Sequence, residues 1–200
     1  IAYLLDRNEF ARTFTGGFGT TTHASYGLAQ WMVEEAEDEI GALNTYSKNL
    51  DAAIAELEAG GWVLDKDGNE YTSGLRYKKL DDGTLMPLTI KWGSSENNPV
   101  ADLLVTMLAN GSDTATAGME IKQTIMTFSE LMENLNGLKE NDYNMYNLAT
   151  NYYTTFDPEA SYEIGGVANV NHIADEELAK LAFDLAKVPN GDDEAYLAKW

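Results

Sequence analysis

Cysteine is absent from the 200 residues. That removes disulfide frameworks, thiol nucleophiles and cysteine-bound metal. Histidine is nearly absent as well, with only His23 and His172, far apart in the chain. A zinc centre clusters His or Cys ligands and uses carboxylates as supplements, so neither a metal nor a cofactor is expected. Basic residues are scarce: 13 Lys and Arg stand against 33 Asp and Glu, for a formal net charge of −20. A phosphate backbone needs a basic face, as does docking on anionic lipid, so the composition excludes nucleic acid as a partner. No apolar run reaches the length of a membrane span. Common catalytic signatures are missing too. There is no Gly-x-Ser-x-Gly elbow. Gly16-Gly17-Phe18-Gly19 follows a helical pattern instead of opening one, and it lacks the P-loop lysine. A glycosidase needs two carboxylates across one cleft, and nothing in the sequence selects such a pair.

What is present is a globular pattern. The hydrophobic content is 44%, and the length suits one well-cored domain. Residues 1–14 read as a helix, with capping-box spacing between Asp6 and Glu9 that permits a fresh start at Asp6. Gly16-Gly17 ends it. Residues 30–39 read as a helix with an acidic, solvated face. Residues 47–61 read as an amphipathic helix carrying Leu50, Ile54 and Leu57. Asp67-Gly68 and Asp82-Gly83 are hairpin turn signals, with short strands between them. Asp65-Lys66-Asp67-Gly68-Asn69-Glu70 is similar to part of a calcium loop, but lacks its full spacing and its distant bidentate Glu. A turn is the expected reading.

From Leu85 onward the pattern is more regular. Leu88, Ile90 and Trp92 alternate as a strand. Asn98-Pro99 opens a helix with the stripe Val100, Leu103, Leu104, Met107 and Leu108. Met119, Ile121 and Ile125 alternate as a second strand, and Thr127 with Glu130 caps a second helix that Gly137 stops. A third strand begins at Tyr143. The order β-α-β-α-β implies a parallel sheet with right-handed crossovers. It places Trp92 and residues 151–156 at one sheet edge, where α/β proteins hold ligands. Stacking and hydrogen-bonding side chains crowd that stretch: Asn151, Tyr152, Tyr153, Thr154 and Phe156. A ligand edge leaves some of the rings of Tyr152, Tyr153 and Phe156 open, whereas a core role buries all three. Asp175 and Asp192 open two further helices.

Several segments, in this order, carry a family pattern. They are Ile1-Ala2-Tyr3-Leu4-Leu5-Asp6-Arg7-Asn8-Glu9-Phe10, then Leu57-Glu58-Ala59-Gly60-Gly61-Trp62, then Asp65-Lys66-Asp67-Gly68. Tyr143-Asn144-Met145 and Asp157-Pro158-Glu159-Ala160-Ser161-Tyr162 follow. Together they resemble the C-terminal lobe of the peptide-class (family 5) extracellular solute-binding proteins, which serve ABC importers for oligopeptides, dipeptides and nickel. The resemblance covers nearly the whole chain. It implies an α/β, periplasmic-binding-protein-like (type II) lobe with a mixed, mostly parallel sheet and flanking helices. Residues 1–200 would form one lobe, cut at both ends from a longer chain whose N-terminal lobe lies outside it.

The resemblance further implies a non-catalytic protein that closes two lobes on an oligopeptide or similar solute. Its partners would be that second lobe and the transmembrane subunits of an ABC permease. Its place would be extracytoplasmic, lipid-anchored or periplasmic. Ligand-facing positions of the family fall on Asn151, Tyr152, Tyr153 and Thr154. Peptide binders of the family often carry an Asp four residues before the proline, pairing with the peptide's amino terminus. The matching residue here is Thr154, which offers no charge to an ammonium group. The alternatives are an oligosaccharide or other non-peptide solute and, in another class, an extracellular acid-dependent hydrolase.

Overall fold

The computed structural model describes residues 1–138, 142–154 and 158–200. The chain divides into two compact units: Ile1–Thr21 with Thr45–Leu148, and Thr22–Asn44 with Ala149–Trp200. In chain order the elements begin with helices α1 (Arg7–Thr15), α2 (Trp31–Glu35), α3 (Glu37–Gly41) and α4 (Leu50–Ala59). Strands β1 (Tyr77–Lys79), β2 (Leu85–Pro87) and β3 (Thr89–Ser95) follow. Next come α5 (Pro99–Leu104), which runs into a π turn over Val105–Ala109, then α6 (Ser112–Thr116), β4 (Glu120–Met126) and α7 (Phe128–Leu135). The chain closes with β5 (Met145–Tyr146), α8 (Glu159–Tyr162), α9 (Glu176–Ala186) and α10 (Asp193–Lys199).

In the first unit, polar caps set where helices begin. The Asp6 carboxylate accepts the Glu9 amide at 2.9 Å, so α1 makes the fresh start and does not run from residue 1. Asn49 accepts the Ala52 amide at 3.0 Å, and α4 therefore starts at Leu50, later than the expected residue 47. Asp82 accepts the Thr84 amide at 2.8 Å and turns the antiparallel β1–β2 hairpin, as the Asp-Gly signal predicts. The main sheet has the order β4-β3-β5, all parallel. β3 and β4 pair along their full length, from Thr89↔Glu120 to Ser95↔Met126. Leu4, Ala53, Leu88, Leu108, Ala117 and Met119 form the core, with Leu50, Ile54, Leu57, Ile90 and Ile121 packed against it. The predicted stripe of α4, with Leu88 and Ile90, thus packs into one apolar cluster.

The capping box at α7 is complete: Thr127 Oγ1 accepts the Glu130 amide, and Glu130 accepts the Thr127 amide at 2.9 Å. Thr127→Ala is therefore expected to cost about 1 kcal/mol. Urea denaturation should show a lower midpoint with an unchanged slope. An unchanged midpoint would mean that the box contributes nothing to stability.

Two expectations need correction. The helix expected over residues 30–39 is two short helices that break at Ala36 (φ −113°). Like charges four apart, Glu34 with Asp38 and Glu35 with Glu39, oppose a continuous helix there. The third strand is much shorter than its sequence suggests. β5 pairs with β3 only through Trp92↔Met145 and Gly93↔Tyr146, and residues 147–154 form no strand. Asparagine side chains on either side of β5 also bond to β3. The Lys91 amide donates to the Asn144 side chain at 2.6 Å, and the Trp92 indole donates to the Asn147 side chain at 3.1 Å. Side-chain bonding of this kind competes with strand pairing. In the second unit, Asp175 and Asp192 cap α9 and α10 as expected, accepting the amides of Leu178 and Ala195.

Candidate functional site

At the C-terminal ends of β3 and β4, Ser95 and Met126 lie side by side, and the Glu96 amide continues the pairing to the Met126 carbonyl at 2.9 Å. Two helices start from this edge. The Asn98 side chain accepts the Val100 and Ala101 amides, both at 3.1 Å, and Thr127 takes the Glu130 amide. Both helix N-termini are thus capped by their own side chains. The Ser94 hydroxyl, fully buried, accepts from Gln123 Nε2 at 2.8 Å.

Trp92, expected among the ligand contacts at this edge, is buried within the sheet. It is 0% exposed, and its indole N–H is satisfied by Asn147. The reason is topological. Trp92 sits mid-strand in the central strand, where Gln123 pairs on one side and Met145 on the other. A large side chain at such a position becomes core, and its N–H finds an internal partner.

The second unit carries the other candidates. Tyr152 is 45% exposed and Tyr153 72% exposed, and Asn151 and Thr154 are exposed as well. Both rings are open to solvent, which a role in the core would not leave them. Phe156 lies outside the described residues. The segment 151–154 has no charged side chain, so it presents two phenols, a carboxamide and a hydroxyl. Such a set stacks on planar groups and exchanges hydrogen bonds.

Two residues that sequence reasoning did not single out hold this segment. Gln30 is 3% exposed; its Nε2 donates to the Tyr153 carbonyl at 2.7 Å, and its Oε1 accepts the Gly27 amide at 3.0 Å. Gly27 lies against Tyr152. No periodicity signals such a contact, because it joins residues more than 120 positions apart.

The remaining motifs resolve as structure. The Asp65 carboxylate accepts the Asp67 and Asn69 amides, each at 2.9 Å. These bonds, the one from Asn69 first, hold its pKa below the usual carboxylate range. The calcium-like segment is a turn closed on itself. Among the described residues, no three His, Cys, Asp or Glu side chains gather as a metal site, and no helix is long and apolar enough to cross a membrane. The second unit also contains a cavity of about 660 Å³ lined by Tyr26, Leu178, Leu185, Leu197 and Trp200. Leu178, Leu181, Ala182 and Leu185 of α9 form part of its wall.

The chain matches no protein-family model and no curated protein. Solved structures do match it, and its α/β fold is that of a part of the ABC solute-binding proteins of the peptide and nickel class. In particular, it is similar to the oligopeptide-binding protein AppA from Bacillus subtilis in complex with a nonapeptide. That match has 17% identity and a TM-score of 0.74, over 99% of this chain and 36% of the other. The oligopeptide-binding protein from Thermus thermophilus, complexed with a pentapeptide, matches at 16% identity and a TM-score of 0.76, over 99% and 33% of the two chains. The nickel ABC transporter structure from Bacillus halodurans matches at 18% identity and a TM-score of 0.68, over 99% and 37%. The chain therefore spans about a third of the length of these proteins.

Proposed function

We propose that this chain is the C-terminal lobe of an extracytoplasmic solute-binding protein. In that role it captures an oligopeptide or similar solute against a second lobe, hands it to an ABC permease and performs no catalysis. The observation that carries this reading is the fold likeness, which spans 99% of the chain and includes proteins crystallised with a nonapeptide and a pentapeptide. The open Tyr152 and Tyr153 rings support it, since ligand sites combine aromatic walls with a few polar groups. One lobe supplies one wall, so affinity should be far weaker for this chain alone than for a two-lobed protein containing it.

The test is titration calorimetry of the two-lobed protein against free and N-acetylated peptides. Tyr153→Ala is expected to weaken peptide binding about tenfold, the size of one lost aromatic contact. Thr154→Asp should strengthen binding of free-amine peptides and leave acetylated ones unchanged, because a carboxylate supplies the missing partner for an ammonium group. A response to oligosaccharides in place of peptides would move the reading to a sugar binder. No effect of either substitution would remove residues 151–154 from the site.

A further inference from the structure

We propose that Gly27 and Gln30 are positioning residues for the ligand face, and this rests on the reading of residues 151–154 as ligand contacts. Residues 151–154 belong to no helix or strand, so nothing regular fixes their backbone. What fixes it is a short turn elsewhere in the same unit. The Gln30 amide donates to the Gly27 carbonyl at 2.9 Å, and the Gly27 amide donates back to Gln30 Oε1 at 3.0 Å. The carboxamide is thereby oriented, and its remaining N–H group reaches the Tyr153 carbonyl at 2.7 Å. This carboxamide is almost fully buried. Breaking one of its bonds strands a polar group away from water, which makes the arrangement stiff.

Gly27 acts by its lack of a side chain. A Cβ placed there would lie 2.5 Å from Tyr152 Cβ and 3.2 Å from Tyr152 Cγ. The root of the tyrosine cannot swing aside as a side-chain tip can, so any residue larger than glycine must displace the Tyr152 backbone. Gly27 and Gln30 therefore grip adjacent residues, one by close approach and one by a hydrogen bond. The outcome is two neighbouring phenols held open to solvent. A rigid, uncharged pair of this kind suits neutral planar ligand groups, the peptide unit foremost, because the cost of ordering the rings is met before the ligand arrives.

The experiment measures backbone order parameters by nuclear magnetic resonance on the full 200-residue chain. In the native protein the amides of Tyr152, Tyr153 and Thr154 should show values of about 0.8. In Gln30→Met, which keeps the volume and removes both bonds, they should fall below about 0.6, while α9 amides stay near about 0.85. Gly27→Ala should shift the Tyr152 and Tyr153 resonances more than those of α9. Should Gly27→Ala fail to fold, Gln30→Met decides alone. Native values already below about 0.6, no change in Gln30→Met, or an equal loss across α9 would each overturn the proposal. Binding of the probe peptide Ala-Ala-Phe-Ala to the two-lobed protein is measured separately. An unaltered peptide affinity in Tyr153→Ala counts against the ligand reading, whereas the order parameters judge the clamp on their own.

Discussion

Arg76→Met is expected to remove about 2–5 kcal/mol of stability, the scale of leaving two carbonyls without donors inside the fold. Arg76 is 4% exposed. Its Nε donates to the Ala117 carbonyl at 3.0 Å, its Nη1 to the Trp62 carbonyl at 2.8 Å and its Nη2 to Glu58 at 3.2 Å. The guanidinium also lies 4.0 Å from the centre of the Tyr71 ring. The Glu58 carboxylate is half in solvent, so that ion pair contributes little. The larger loss is two carbonyls left without donors. Methionine retains the apolar stem and isolates this effect. Lysine keeps the charge but not the planar fork, and should fall between the two. Gly118 belongs to the same arrangement. It has φ +77°, and a Cβ there would lie 2.6 Å from Arg76 Cγ. Urea denaturation measures the loss; a value under about 1 kcal/mol would show that water replaces the guanidinium.

Trp92→Ala should cost a similar amount, about 3–5 kcal/mol, because it empties the centre of the main sheet. Trp92→Phe keeps most of the apolar volume but leaves the Asn147 carboxamide without its donor, and should cost less. These variants separate a core role from a ligand role. A core tryptophan lowers the melting temperature and alters solute affinity only through unfolding. A ligand-facing one lowers affinity at unchanged melting temperature, and that result would reverse the assignment made from burial.

The fold is legible wherever side-chain chemistry is local. Asn98-Pro99, Thr127 with Glu130, Asp175 and Asp192 each name a helix start, since a cap acts within three residues of itself. The alternation in β3 and β4 survives because both strands pair fully. Sequence overstates β5 because Tyr143, Met145 and Asn147 alternate as a strand does. The pattern cannot tell that Asn144 and Asn147 will bond to β3 through their side chains. Sequence misplaces Trp92 for a related reason: alternation gives its face, but only the sheet order shows that its strand is central. At the candidate site, sequence identifies the open tyrosines and misses what fixes them. Gln30 looks like any polar residue before a helix, and its buried role depends on a partner far along the chain.

The division of the chain into two discontinuous units also sets the order in which their parts become available during synthesis. The first unit is interrupted only by Thr22–Asn44, a short excursion whose closure costs little. The second unit needs that same excursion together with Ala149–Trp200. On the ribosome, residues 22–44 must therefore wait while 45–148 are made, roughly 5–20 s at ordinary elongation rates. The waiting segment contains Glu34, Glu35, Glu37, Asp38 and Glu39 without a basic residue among them. Like charge at this density favours solvation of the unfinished segment. The tyrosine face, which draws on residues 22–44 and 149–154, can be completed only after residues 45–148 have been made.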